Sequence, residues 1–303
     1  MMRVYSGVDK LPTGQTDEKL IEGCLCLEGG AFRGVYTSGV CDALMENGIN
    51  MSACVGVSAG ALNGVGYVSG QIGRCGRINL KYRHDGRYVG LRALVRNKGI
   101  IGFDFLFNEV PDFLPFNKER FERPEQRFVA VATNCKTGKT EYFEKGKCDI
   151  FKAVQASSSM QYVSKPVIVD GKPCLDGGAT VHTPYKWALD NKYEKIIVVR
   201  TRDREYRRTP KNHAAAKLMY KKYPKYMECL MNVETAYNKE CDRLDILGDE
   251  GRVLVLYPSK PLDHISRIEP DMEKLGWLYY LGYNDTLAQM NRIRNYLALT
   301  KKD

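Results

Sequence analysis

Short runs of consecutive apolar residues, each ending in glycine or a polar turn, mark the predicted strands of this chain. The run at residues 24–27 ends near a pair of glycines, and the run at residues 53–57 ends directly before a serine. Such runs are typical of strands that are buried on both faces of a sheet. Further predicted strands lie at residues 128–133, 140–143, 196–199 and 253–256.

Apolar positions at helical spacing follow several of these strands. They predict one helix that begins after Gly34 and ends at Asn47, and a second that begins at Ser58. The order strand, glycine turn, helix, strand, sharp turn, helix is typical of a mostly parallel α/β sheet. Residues 70–117 lack periodicity, and we expect loops and short helices there, including any lid. Other helical patterns cover residues 149–158, 213–242 and 271–299.

The chain is long enough for one large α/β core, with 303 residues of which 44% are hydrophobic. The candidate motifs described below all fall before about residue 180. We therefore expect an N-terminal segment at residues 1–22, a catalytic domain at residues 23–205, and a mainly helical C-terminal extension at residues 206–303 that packs on it.

Ten cysteines are present, but no Cys-x-x-Cys pair. Cys24 and Cys26 share one face of a predicted strand, and no second pair nearby completes a tetrahedral site, so no metal is expected. The N-terminus lacks an apolar stretch of signal-peptide length, and no run approaches the ~18 apolar residues of a membrane span. We expect reduced thiols, a cytoplasmic location and no transmembrane segment.

The net charge of +10 is concentrated in two stretches, residues 74–98 and 200–225. Such stretches bind an anionic membrane surface or nucleic acid in some proteins, but more often they are a solvated face. We keep peripheral contact with an anionic membrane as a hypothesis, and nucleic acid is the less favoured partner.

The first candidate catalytic motif is G-x-S-x-G at residues 56–60. A serine on a sharp turn between a strand and a helix exposes its hydroxyl, and the flanking Gly56 and Gly60 avoid clashes at the strained backbone. The helix that follows points its N–H groups toward the same place. Ser58 is therefore a candidate nucleophile.

The second motif is the glycine-rich strand end at residues 28–34, Glu-Gly-Gly-Ala-Phe-Arg-Gly. Its backbone N–H groups suit a nucleotide phosphate or the oxyanion of a tetrahedral intermediate, unless the segment is a tight turn without a ligand. The nucleotide interpretation is disfavoured because G-x-G-x-x-G requires glycine where Ala31 stands. The third motif, Asp176-Gly177-Gly178, is by itself only a hairpin signal.

Together, the glycine-rich strand end, the G-x-S-x-G motif and the distant Asp-Gly-Gly resemble the patatin-like phospholipase family over about residues 23–200. The resemblance is closest to the bacterial branch, whose members carry a C-terminal extension. It implies a three-layer αβα sandwich with a mostly parallel central sheet, and a Ser–Asp dyad that requires no metal or organic cofactor. It places the nucleophile on Ser58 and the general base on Asp176.

The same resemblance assigns the other motif residues. The oxyanion hole falls on the backbone amides of Gly29, Gly30 and Ala31, and Arg33 is either structural or a contact to an anionic head group. The family usually has a third glycine where Ala31 stands, and alanine keeps the N–H donor but disfavours positive φ. Residues 156–162 lack a proline that is common in the family. The expected supporting glycines are Gly34, Gly56, Gly60, Gly177 and Gly178.

A catalytic histidine is the alternative to this dyad, because a Ser–His–acid triad needs a histidine after the acid. The candidates are His182, His213 and His264, none of which lies in a glycine-bounded loop at a strand end. We expect them to be surface or capping residues, and we favour the dyad.

The predicted function is a serine acyl-hydrolase, a lipolytic esterase or phospholipase A-like enzyme that cleaves carboxylic esters of lipids. Two alternatives stay open. One is a binding or scaffold protein that keeps the fold without useful catalysis, which Ala31 favours. The other is a nucleic-acid-associated protein that uses the basic stretches. The intact motifs at Ser58 and Asp176 favour the enzyme.

Overall fold

The apolar runs of the sequence form the strands of a central sheet in the computed structural model, which describes residues 3–299 and, at Asn97, the backbone only. In chain order, the strands are β1 (Gly14–Gln15), β2 (Ile21–Leu27), β3 (Met51–Val57), β4 (Gln71–Ile72), β5 (Arg127–Asn134), β6 (Thr140–Glu144), β7 (Val167–Val169), β8 (Lys172–Asp176), β9 (Ile196–Val199) and β10 (Leu254–Leu256).

Helices connect and cover these strands. They are α1 (Gly34–Glu46), α2 (Ala59–Val68), α3 (Arg74–Tyr82), α4 (Leu91–Asn97), α5 (Val110–Phe113), α6 (Lys118–Glu122), α7 (Ile150–Ser157), α8 (Tyr185–Asp190), α9 (Ala214–Met219), α10 (Pro224–Met231), α11 (Val233–Asp249), α12 (Met272–Ala288) and α13 (Met290–Leu297). Short 3₁₀ segments lie at Val8–Lys10, Ala31–Arg33 and Gly177–Ala179, and a π-helical segment lies at Phe105–Glu109.

Eight of the described strands form one sheet in the order β10-β9-β2-β3-β5-β8-β7, and β6 pairs with β5 beside this path. The strands from β10 to β5 run parallel, and β6, β7 and β8 pair antiparallel. The carboxyl ends of β2, β3 and β9 therefore meet at one edge. Ligands bind at that edge in open α/β sheets, and both the glycine-rich motif and G-x-S-x-G lie there.

Side chains on opposite faces of the sheet build two separate apolar cores. On β2, Leu25 and Leu27 pack with α1, α2 and α12, whereas Cys24 and Cys26 pack on the other face with α8 and α11. Helices on both faces of a mostly parallel sheet give the three-layer αβα architecture. The fold prediction is therefore confirmed.

Residues after 205 contribute to the sheet and to the helical layers on both of its faces. β10 extends the sheet beside β9, and α12 lies along α1. A Cβ at Gly39 would lie 2.0 Å from the carbonyl oxygen of Tyr279, and one at Gly282 would lie 2.1 Å from that of Tyr36, so glycine permits this close helix packing. The core thus continues across the boundary expected at residue 205.

Two helical patterns of the sequence are divided in the structure. The pattern over 213–242 forms α9, α10 and the first part of α11, because Pro224 can begin a helix but cannot continue one. The pattern over 271–299 changes from α12 to α13 at Gln289. The aperiodic segment 70–117 contains the short helices α3, α4 and α5, as expected.

Candidate active site

Ser58 lies on the turn between β3 and α2 at φ 56° and ψ −123°, a backbone conformation that L residues rarely adopt. The neighbouring glycines make this turn possible. A Cβ at Gly56 would lie 2.5 Å from the carbonyl of Gly60, and a Cβ at Gly60 would lie 2.3 Å from the carbonyl oxygen of Leu27. The turn is therefore packed directly against the end of β2.

Asp176 is the last residue of β8, and its carboxylate meets Ser58. The Ser58 Oγ donates a hydrogen bond of 2.7 Å to Oδ2 of Asp176, and the Gly178 N–H donates one of 2.8 Å to Oδ1. Gly177 lets this turn pass close to β5, since a Cβ there would lie 2.3 Å from the carbonyl oxygen of Val131. The structure thus brings together the two residues that the sequence assigned as nucleophile and base.

Burial governs the basicity of Asp176. Only 5% of the residue is exposed, and desolvation raises the pKa of its carboxyl. Hydrogen bonds from Ser58 and Gly178 oppose this rise, as do the positive charges of Arg267 and Arg208. A carboxyl with a raised pKa, in contact with a serine hydroxyl, is suited to accept a proton from it.

Three serines at the end of α7 hold both residues in place. The Ser157 hydroxyl accepts a hydrogen bond from the Ser58 N–H (2.9 Å) and donates one to a carbonyl of β5 (2.6 Å). The Ser158 hydroxyl donates to the Ser58 carbonyl (3.0 Å), and the Asp176 N–H donates to the Ser159 carbonyl (3.0 Å). Sequence reasoning gave these serines no role, although three adjacent serines in a segment without the family's proline were a visible signal.

Two backbone amides of the glycine-rich turn after β2 donate no hydrogen bond within residues 3–299. The Gly29 N–H donates to the His182 carbonyl at 3.1 Å, whereas the amides of Gly30 and Ala31 donate to no other residue of the described chain. At Gly30, a Cβ would lie 2.6 Å from Oγ1 of Thr201. Ala31 adopts φ 51°, the positive φ that alanine disfavours.

A buried ion pair fixes the ends of β2 and β9 behind this turn. The Arg200 side chain is 0% exposed and donates from Nε to Oε2 of Glu28 at 3.0 Å, while the Tyr237 hydroxyl donates to Oε1 at 3.2 Å. Thr201 donates to the same carboxylate through its N–H and its hydroxyl. Removing one partner of such a buried pair would leave the other charge uncompensated.

The expectation that His182 is a surface or capping residue is wrong, since it is buried and the helix that follows it is preceded by Pro184. Only 5% of the residue is exposed, and its ring packs edge-on against Tyr237 with the ring centroids 4.9 Å apart. Its Nε2 lies 2.6 Å from Nη1 of Arg208; because a guanidinium only donates, Nε2 accepts and the ring proton is on Nδ1. Burial and the nearby arginines lower the pKa of His182 well below its usual range. The hydrogen-bond partner of the Ser58 hydroxyl is Asp176, not this ring.

The other candidate residues of the sequence are two histidines, considered as triad members, and two cysteines, considered as metal ligands. His213 precedes α9 and contacts a Glu234 carboxylate oxygen through Nε2 at 3.0 Å, and His264 is exposed, as expected. The sulfur atoms of Cys24 and Cys26 lie 3.8 Å apart in the core. Within residues 3–299, no three His, Cys, Asp or Glu side chains are placed to hold a metal ion. None of the helices in that range combines the length and apolarity that crossing a membrane requires.

Two cavities meet at Ser58, and their linings differ in chemistry. The first, about 470 Å³, is lined mainly by apolar side chains of α1, α2, α3 and the segment 101–116. The second, about 650 Å³, is lined by the glycine-rich turn, Asp176 and several basic side chains, many of them from the segment 202–213. The residues common to both linings are Ala31, Ser58, Met160, Arg267 and Ile268.

Arg33, the arginine of the glycine-rich motif, lines the second cavity. Burial and the positive charges of Arg202 and Arg267 lower the pKa of its guanidinium to about 10, and its Nε is buried without a hydrogen-bond partner in the described chain. The next residue, Gly34, begins α1 where a Cβ would lie 2.7 Å from the Cβ of Ala59. Sequence reasoning found Arg33 by its motif but had no signal for Arg267, which is distant in the chain.

Comparisons with known proteins cover both parts of the chain. Residues 25–189 match the family described as patatin-like phospholipase, and residues 223–298 match a domain of unknown function, DUF6363. The chain is 26% identical over 280 residues to the uncharacterized protein YjjU of Escherichia coli, a match that covers 85% of this chain and 76% of that protein.

A second relative is an uncharacterized NTE family protein of Mycobacterium bovis, which is 30% identical over 162 residues, or 51% of this chain and 42% of the relative. Among solved structures, VipD from Legionella pneumophila aligns with a TM-score of 0.49 at 15% identity, over 96% of this chain and 71% of that one. The match at residues 25–189 spans more than half of the chain and includes Ser58 and Asp176. The chain therefore belongs to the patatin-like phospholipase family.

Proposed function

We propose that this protein is a serine acyl-hydrolase that cleaves carboxylic esters of lipids through an acyl-enzyme on Ser58. The observation that carries the proposal is the 2.7 Å hydrogen bond from Ser58 Oγ to Oδ2 of Asp176 on a strained turn at the sheet edge. Membership of the patatin-like phospholipase family supports lipid ester hydrolysis as the reaction class. The apolar cavity beside Ser58 suits an acyl chain.

In the proposed mechanism, Asp176 accepts the Ser58 proton while Oγ attacks the ester carbonyl carbon. The N–H groups of Gly30 and Ala31 donate to the developing oxyanion, and such donors contribute about 3 kcal/mol each in comparable sites. Gly29 supports the oxyanion hole by holding the turn in place, since its own N–H is already paired. Asp176 then returns the proton to the leaving alcohol, and water releases the fatty acid from the acyl-enzyme.

Hydrolysis of p-nitrophenyl esters of increasing acyl length tests this proposal. Ser58→Ala should abolish turnover because the nucleophile is lost, and Asp176→Asn should lower kcat by about 10²–10⁴-fold because the base is lost. Ser259→Ala, at an exposed serine outside both cavities, is the matched control. Turnover that survives in Ser58→Ala, with the fold verified by thermal unfolding, would contradict the proposal. Turnover that survives in Asp176→Asn but is lost in Ser58→Ala would mean that a group other than Asp176 is the base.

We also propose that two exposed segments beside the cavities contact an anionic membrane. In α4, Leu91 and Val95 are 80% and 82% exposed among arginines, and in α9, Leu218 is 84% exposed among lysines. Exposed apolar side chains beside cationic ones are typical of segments that lie in a membrane interface. The loop at residues 160–165 is hydrogen-bonded both to the residue after α4 and to the residue after α9, so it links the two segments.

Sedimentation with vesicles of phosphatidylcholine and phosphatidylserine tests the membrane contact. Val95→Ser and Leu218→Ser should each weaken binding about tenfold, because an apolar side chain no longer enters the interface. Ile246→Ser, at a residue on α11 that is 47% exposed, is the control and should bind as wild type does. Equal binding by all variants would contradict this contact. Retention on single-stranded RNA, with no vesicle binding, would support the nucleic-acid alternative instead.

A cytoplasmic location is part of the same proposal. All ten cysteines are free thiols, seven of them buried, and free thiols are the usual state in a reducing compartment. Cell fractionation with a compartment marker tests the location, and recovery of the protein outside the cytoplasm would contradict it.

A further inference from the structure

Three arginines of the second cavity lack the carboxylate partners that other arginines of this region have. Arg33, Arg208 and Arg267 form no ion pair with any residue of the described chain, although all three line the cavity. Arg200 and Arg204, by contrast, are each paired with a carboxylate. These three arginines therefore have no direct carboxylate partner in the described chain, although Glu28 and Asp176 also line the cavity.

Neutral groups contact the side chain of Arg208 and the backbone of Arg267. The Nη1 of Arg208 lies 2.6 Å from Nε2 of His182, and its guanidinium carbon lies 3.9 Å from the ring centroid of Tyr237. The Nε of Arg33 is buried without a partner. The backbone carbonyl of Arg267 accepts a hydrogen bond of 3.1 Å from the N–H of Phe32, within the glycine-rich motif. This bond holds the backbone of Arg267 beside the turn.

The three charges act on the dyad and on one another. Arg267 and Arg208 both lower the pKa of Asp176, and Arg267 also lowers the pKa of Arg33. These effects agree with the geometry, in which the three arginines and Asp176 line the same cavity. Arg33 and Arg208 are partly buried and Arg267 is exposed to solvent. Cations that share one cavity repel one another, and an anion bound among them would reduce that repulsion.

We propose that Arg33, Arg208 and Arg267 form a binding site for a phosphate monoester in the second cavity, beside Ser58. Phosphate offers several acceptor oxygens in a geometry that guanidinium groups match, and a monoester approaches two negative charges near neutral pH. A choline head group would bring a cation into the same cavity and is therefore disfavoured. The phosphate is that of a lipid head group, and free phosphate is the other source of the same chemistry.

This inference rests on the proposed function, because it takes Ser58 as the nucleophile. The preferred substrate is then an acyl ester of a phosphorylated alcohol, with its acyl chain in the apolar cavity and its phosphate among the arginines. Ser58 Oγ forms a bond to the acyl carbon, and the bond from that carbon to the alcohol oxygen breaks. The phosphorylated alcohol leaves with the proton that Asp176 took from Ser58, and water hydrolyses the acyl-enzyme.

Turnover of three lipids with the same single acyl chain tests the head group. They are 1-acylglycerol 3-phosphate, 1-acylglycerophosphocholine and the neutral 1-acylglycerol. Wild type should hydrolyse the phosphate monoester with a kcat/KM about tenfold higher than the other two, through charge-assisted hydrogen bonds. Arg267→Gln and Arg208→Gln should lose this preference. Arg204→Gln, whose arginine is paired with Asp249 and lines neither cavity, is the matched control and should keep it.

Calorimetry on the Ser58→Ala protein measures the anion site without turnover. Glycerol 3-phosphate should bind, glycerophosphocholine should not, and addition of Arg267→Gln should abolish the binding. Binding of inorganic phosphate, with no preference among the three lipids, would assign the site to free phosphate and overturn the head-group assignment.

The two proposals fail in different ways. Hydrolysis of all three lipids at equal rates, with no binding of glycerol 3-phosphate or inorganic phosphate, would overturn the phosphate site and leave the acyl-hydrolase standing. Binding of glycerol 3-phosphate by a wild-type protein that hydrolyses no ester would support the anion site and contradict the acyl-hydrolase.

Discussion

The two cavities that meet at Ser58 are built from different kinds of structure. The apolar cavity is lined by helices of one layer and by the segment 101–116, whose side chains continue into the main apolar core. The second cavity, called the cationic cavity below, is lined largely by loops after β2 and β9, and by Arg267. Strand ends thus position the proposed nucleophile and base, whereas segments without any motif line most of the two cavities.

The largest effect is expected at the turn that carries Ser58, which lines both cavities. In Gly60→Ala, the new Cβ would lie 2.3 Å from the carbonyl oxygen of Leu27, so α2 and the end of β2 must move apart. We expect the free energy of unfolding to fall by about 3 kcal/mol. Turnover of every ester should fall with it, because Ser58 shifts relative to both cavities. Chemical denaturation and p-nitrophenyl ester hydrolysis measure the two effects.

Gly248→Ala is the matched control, since Gly248 also lies inside a helix, α11. A Cβ there would meet only a methyl group of Val255, at 3.4 Å, and alanine is favoured over glycine in a helix by about 0.5–1 kcal/mol. This variant should be as stable as wild type or slightly more stable. If Gly60→Ala behaved in the same way, the close contact between α2 and β2 would be contradicted.

An intermediate effect is expected from filling the apolar cavity alone. Val65, on α2, lines that cavity and not the cationic one. Val65→Phe should lower the ratio of long-chain to short-chain p-nitrophenyl ester hydrolysis about tenfold, because the acyl chain loses space. Val4→Phe, at a residue that is 41% exposed and outside both cavities, controls for the substitution itself. An unchanged chain-length profile would show that the acyl chain lies elsewhere.

The central strands and the dyad could be predicted because their signals are local. Apolar runs at 24–27 and 53–57 end in glycines or a serine, and this pattern gives a buried strand followed by a tight turn. The turn that carries Ser58 requires glycine at positions 56 and 60, and the turn after β8 requires it at position 177. A Cβ at any of the three would lie 2.3–2.5 Å from backbone atoms. Resemblance to a family then predicted that Ser58 and Asp176, which are 118 positions apart in the chain, form one dyad.

The residues that sequence reasoning missed depend on contacts between distant segments. Ser157 holds the Ser58 backbone from 99 positions away. His182 is buried because Arg208 and Tyr237 enclose it, and neither is near it in the chain. No periodicity or motif indicates such partners. The lining of the cationic cavity therefore became visible only once the loops after β9 and the segment at Arg267 were placed beside the glycine-rich turn.

The smallest effect is expected in the pH dependence, which links the cationic cavity to the dyad. Asp176 must be ionised to accept the Ser58 proton, and burial raises its pKa, so kcat/KM should fall as the pH decreases through a value above the usual carboxyl range. Arg267 lowers that pKa. In Arg267→Gln the acidic limb of the profile should therefore move to higher pH, whereas in Arg204→Gln it should stay in place. The pH profile of kcat/KM for a neutral p-nitrophenyl ester measures this limb. A limb that stayed in place in Arg267→Gln, or moved to lower pH, would mean that the positive charge of Arg267 does not lower the pKa of Asp176.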